Sequence, residues 1–187
     1  MSAKIVTDTV ARQVVFGDKV LITDPCYPKG TRCTAEFDVK PGIWEFKYTI
    51  EPCGKWGKWV VDWVCYNKEE SEKAVKVDKT NPWKFKPLAT VGVDSGQLGI
   101  FDSAKYPNGA EFDSEFYKHI SDGTLGDERC GSVDFGAATE SGCGDGVYQV
   151  LGVKIAGVYV AFKVVFVSDS EKSVRQGVKD TVGGRCD

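Results

Sequence analysis

Three acids stand where hydrophobic runs stop, each beside a residue that bends the backbone: Asp24-Pro25-Cys26-Tyr27, Asp94-Ser95-Gly96 and Gly144-Asp145-Gly146. A fourth, Asp102, closes the run Leu98-Gly99-Ile100-Phe101. Pro presets one turn dihedral, and Gly takes positive φ without steric cost. Clustered carboxylates are the oxygen ligands that Mg²⁺ and Ca²⁺ prefer, so Asp24, Asp94, Asp102 and Asp145 form a candidate metal set. Two unpaired carboxylates held close would instead push one pKa up and act as an acid–base pair, with Asp94 and Asp145 as the candidates. The plainer alternative is local: Asp accepts hydrogen bonds from amides two residues on and so stabilises a turn with no further role. The choice depends on whether these bends meet at one edge of the fold.

Other residues around the bends widen the chemistry. Glycine turns present amide groups that can cradle an anion, and Tyr27 and Tyr148 offer aromatic faces for a nucleotide-like group. The candidate ligand-binding set is therefore Asp24, Tyr27, Asp94, Ser95, Gly96, Gly144, Asp145, Gly146 and Tyr148. A dinucleotide or P-loop fold is excluded, because a strand-like Val147-Tyr148-Gln149-Val150 follows the glycines where a helix is required. Val91-Gly92-Val93-Asp94-Ser95-Gly96 is similar to the nucleophile motif of aspartic proteases. With one such tripeptide the chain would need to dimerise, and Gln97 stands where a small residue is expected. Cys26 and Cys143 lie in turns, but the single histidine, His119, is not placed near either by sequence. The absence of a nucleophile–base pair favours binding over catalysis.

Composition narrows the classes further. The chain has 187 residues, 42% hydrophobic and 27% charged, which suits one globular unit with a real core. A formal charge of −3 with scattered Lys and Arg gives no basic stripe for duplex DNA or an anionic membrane. No apolar run reaches the length of a membrane-spanning helix, and Met1 to Asp8 lacks the apolar core of a signal peptide. The seven cysteines are odd in number and show no C-x-x-C pair. Reduced thiols serving as small core hydrophobes are expected, with a disulfide framework as the alternative.

Periodicity assigns the elements. Ile43 to Ile50 alternates, with Trp44, Phe46, Tyr48 and Ile50 on one face. Trp59, Val61, Trp63 and Cys65 alternate likewise, which predicts an aromatic hairpin. Trp56, in the turn between them, is an exposed candidate for stacking on a base or sugar. Glu69 to Ala74 reads as a short helix or a solvated loop. Leu88 to Val93 is a buried-type strand, and Leu98 to Phe101 a further strand or a bulged extension. Asp113 or Ser114 caps a helix carrying Phe116, Tyr117 and Ile120 on one face. Val147 to Val153 and Val158 to Val167 form a second hairpin. The expected fold is mainly β with α+β character: an antiparallel β-sandwich or strongly curved sheet with one or two short helices. One β-rich unit spans 1–167, and 168–187 is a polar tail or short helix.

Three blocks together resemble an uncharacterised domain family met in bacterial and bacteriophage genomes. They are Ile22-Thr23-Asp24-Pro25-Cys26-Tyr27, then Val91 through Gly96-Gln97-Leu98-Gly99-Ile100-Phe101-Asp102, and Ser141 through Gly146-Val147-Tyr148-Gln149-Val150. Cys143 stands where that family often has an aromatic or small residue. The resemblance implies a β-rich fold and a bacterial or phage setting, and it supplies no activity to carry over. The expectation is a small soluble accessory protein of the cytoplasm, the host's if phage-encoded. It would bind a polar or anionic small ligand, or a divalent cation such as Mg²⁺ or Ca²⁺, at its Asp/Gly-rich turns. Two alternatives are a metal-assisted hydrolase using Asp24, Asp94 and Asp145, and a virion or partner-binding protein that oligomerises through the aromatic hairpin.

Overall fold

The computed structural model describes residues 8–52, 57–78, 82–108 and 114–168. Among them eleven strands and two helices, numbered in chain order, form two antiparallel sheets packed on one core. The larger sheet runs β1 (Asp8–Phe16), β4 (Gly42–Pro52), β5 (Lys58–Asn67), β11 (Val158–Val165), β10 (Gly146–Ile155) and β6 (Lys86–Val93). The smaller runs β3 (Ala35–Asp38), β2 (Lys19–Thr23), β7 (Gln97–Asp102), β9 (Gly136–Glu140) and β8 (Cys130–Val133). The helices are α1 (Lys68–Val77) and α2 (Glu115–Leu125). The mainly β, sandwich-type expectation is met. Among the described residues no helix is long and apolar enough to cross a membrane.

Alternation decides what each strand buries. Trp44, Phe46, Tyr48 and Ile50 of β4 all face the core, as their spacing requires. Their partner β5 departs from the expected face. Thr49 pairs with Asp62 and Ile50 with Val60, so Val61 is an extra, bulged residue. Upstream of that bulge Val60, not Trp59, takes the fully buried position, and Trp59 is only half-buried. The aromatic hairpin is thus core: Trp44, Phe46, Tyr48 and Trp63 are each at most 1% exposed. Trp56 lies outside the described residues.

Leu98 to Phe101 is neither an extension of β6 nor a bulge in it. The chain leaves the larger sheet at Val93 and enters the smaller one at Gln97. There β7 is buried on both faces, which is why its sequence is nearly all apolar. Leu98 and Ile100 point between the sheets. Phe101 points outward and is covered by Tyr106 and by Phe116 and Ile120 of α2. Ser114 caps α2, its hydroxyl accepting from the Tyr117 amide at 3.1 Å; Asp113 lies outside the described residues. Gly131 of β8 allows this close seat, since a Cβ there would fall 2.2 Å from the Ile120 carbonyl oxygen. Helix α1 extends the expected Glu69–Ala74 segment at both ends, with the Asn67 side chain capping it by accepting from the Glu70 amide. The second hairpin forms as expected through β10 and β11, turning on Ala156 (φ 49°) and Gly157 (φ 90°). Strands β1, β3, β8 and β9 carried no sequence expectation. Of the proposed tail, only Ser168 is among the described residues.

Candidate functional site

Strand registers bring the three acid-bearing bends to one end of the sandwich. Thr23, the last residue of β2, pairs with Gly99 near the start of β7. Glu140, the last of β9, pairs with Gln97, the first of β7. In the other sheet Gly146, the first of β10, pairs with Val93, the last of β6. The exit of β2, the β6–β7 crossing and the β9–β10 crossing are therefore neighbours. Asp102 is not among them. It ends β7 opposite Val20, five residues and about 17 Å along the strand from Gln97. The four-acid metal set is corrected on this point: Asp102 holds the opposite end together. Its Oδ2 accepts from the Gly17 amide at 2.6 Å and its Oδ1 from the Ala104 and Lys105 amides at 2.9 and 3.1 Å.

Asp24 is fully buried, and its carboxylate joins two of the bends. Oδ2 accepts from the amides of Asp94 (2.9 Å) and Ser95 (2.7 Å). Oδ1 accepts from the Cys26 amide (2.9 Å) and the Ser95 hydroxyl (2.6 Å). The Asp24 carbonyl closes the turn by accepting from the Tyr27 amide at 3.1 Å. Four donors fill the lone pairs of one carboxylate, so this acid is a clasp, committed within the protein. The local reading of the sequence holds for Asp24 through the Cys26 amide, with the addition that its other donors, on Asp94 and Ser95, lie some seventy residues away.

Around this clasp the remaining groups are arranged in layers. The Tyr106 hydroxyl donates to the Tyr27 carbonyl at 2.9 Å, pinning the turn from beneath. Burial pushes the Cys26 thiol up to about 12, and its hydrogen bond to Asp24 adds to the rise. Burial and a hydrogen bond to the Asp94 carboxylate hold the Tyr27 phenol above its ordinary value. Asp94 itself is exposed. Gln97, which carried no assignment from sequence, donates through Nε2 to the Tyr117 hydroxyl at 3.2 Å, and Tyr117 in turn bonds the Ser95 side chain. Only its place at the head of the apolar run Leu98 to Phe101 could have indicated Gln97.

The third bend docks on the second. The Ser141 amide donates to the Gly96 carbonyl at 2.8 Å. Ser141 Oγ donates to the Gly144 carbonyl at 2.7 Å, and Tyr148 Oη lies 3.0 and 2.7 Å from the Ser141 and Gly144 carbonyls. Tyr148 therefore braces the glycine loop from inside through its hydroxyl, while its ring packs edge-on against Phe166. Its ring is half-buried in this contact and does not stand clear as the aromatic face expected for a nucleotide. Asp145 and Gly146 are exposed.

The arrangement brings together Asp24, Tyr27, Asp94, Ser95, Gly96, Gly144, Asp145, Gly146 and Tyr148, and divides them by role. Asp24, Ser95 and Tyr148 tie the bends to one another, whereas Asp94 and Asp145 face solvent. Among the described residues no three His, Cys, Asp or Glu side chains are grouped to hold a metal ion. His119 is at the other side of α2, its Nε2 3.1 Å from the Ser132 carbonyl oxygen. Cys26, Cys33, Cys65 and Cys130 are reduced thiols. No protein-family profile, curated protein or solved structure matches the chain, so its chemistry is read from this geometry.

Proposed function

We propose that the chain is a non-enzymatic binding protein whose turn end takes a small polar ligand. The observation that carries this reading is the Asp24 clasp. The exit of β2 and the two connections that cross between the sheets are fixed to one another by hydrogen bonds at least partly shielded from solvent, while two carboxylates remain exposed on top. A preformed polar surface of this kind loses little conformational entropy when it binds. A metal-assisted hydrolase built on Asp24, Asp94 and Asp145 has less to stand on, because the Asp24 oxygens are already occupied by protein donors. An oligomer interface made from the aromatic hairpin loses its residues to the core. The resemblance to bacterial and phage proteins suggests an accessory role in such a setting.

Thermal unfolding against a panel of nucleotides, amines, polyols and divalent cations tests the proposal. A ligand at a hundred times its Kd stabilises by about 2.7 kcal/mol, a shift of several degrees. At least one class is expected to raise Tm in the native chain and to lose that effect when Asp94→Ala and Asp145→Ala are combined. No shift with any class would sink the reading.

A further inference from the structure

We draw no further inference here: the strongest candidate, the shallow groove beside the free edge of β6, lined by Pro87, Leu88, Ala89 and Thr90 with Gln149 of β10, is an unpartnered surface, and nothing in the structure shows what covers it.

Discussion

Asp24 is the residue on which the assembly of the site turns, and its replacement should rank accordingly. In Asp24→Ala the amides of Cys26, Asp94 and Ser95 are left without an acceptor in a buried place, a loss of about 3–5 kcal/mol. Asp24→Asn keeps one acceptor but turns an NH₂ group toward donors, and about 2–3 kcal/mol is expected. Ser95→Ala removes a single donor, at about 1–2 kcal/mol. Urea midpoints of the three variants give the order directly, and an Asp24→Ala midpoint equal to the native one would remove the clasp from the account. The thiols give a pH-dependent counterpart. Burial raises both Cys26 and Cys130 to about 12, whereas an unfolded thiol ionises near about 8.5. Between those values the unfolded chain holds fewer protons than the folded one, so stability falls as pH rises, by about 1.4 kcal/mol per unit for each thiol. The stability these thiols confer is thus whole below about pH 8.5 and gone by about 12. Cys26→Ala and Cys130→Ala should each flatten the alkaline limb of an unfolding-versus-pH series.

At the turn end the β6–β7 and β9–β10 connections are short, and the glycines there are not equivalent. Gly142 has φ 63°, and a Cβ on it would lie 2.8 Å from the Val60 carbonyl oxygen and 3.0 Å from Phe166 Cβ. Gly144 has φ 93°, with nothing within 4 Å of a Cβ. Gly144→Ala therefore bears only the left-handed backbone cost of about 1–2 kcal/mol, whereas Gly142→Ala adds overpacking against β5 for roughly 2–4 kcal/mol. Equal losses in chemical unfolding would contradict the docking of the β9–β10 crossing on β5. The sequence carried the elements unevenly for physical reasons. Clean alternation made β4 and the β10–β11 hairpin readable, and the Ser114 cap marked α2. Val61 broke the pattern of β5, since a bulge inserts one residue without a composition signal. Strand β1 is short of contrast: Val14 and Phe16 point inward but Val15 between them is exposed and equally apolar. The acids were legible as turn formers. Which of them would face solvent was not, because Asp24 and Asp94 differ only in contacts to segments far away in the chain.

At the scale of the whole molecule the two sheets must also avoid pairing with other chains, and their margins are blunted in different ways. The edge of β1 is met by the smaller sheet, the Val15 amide donating to the Asp134 carbonyl at 3.0 Å. The edge of β8 lies under α2, with Gly131 against Ile120. Strand β6 has the barest margin. At one end its Gly92 amide donates to the Cys33 carbonyl at 3.0 Å, which occupies the edge there. At the other, Val150 pairs with Ala89 and Leu151 with Pro87, so Leu88 is bulged and Pro87 contributes no donor. Bulges and prolines are the usual guards of an exposed edge. Pro87 is itself exposed, so Pro87→Val should change stability by under about 1 kcal/mol. It would restore an amide and a β-branched residue to a free edge, extending the stretch on which another strand can pair. We expect sedimentation velocity to show a concentration-dependent rise in weight-average mass for Pro87→Val relative to the native chain, reversed by the further change Ala89→Lys. If Pro87→Val sediments like the native chain at every concentration up to about 100 µM, a range where weak edge pairing at a Kd of this order would be visible, then the Leu88 bulge and the Cys33 contact protect the edge without the proline.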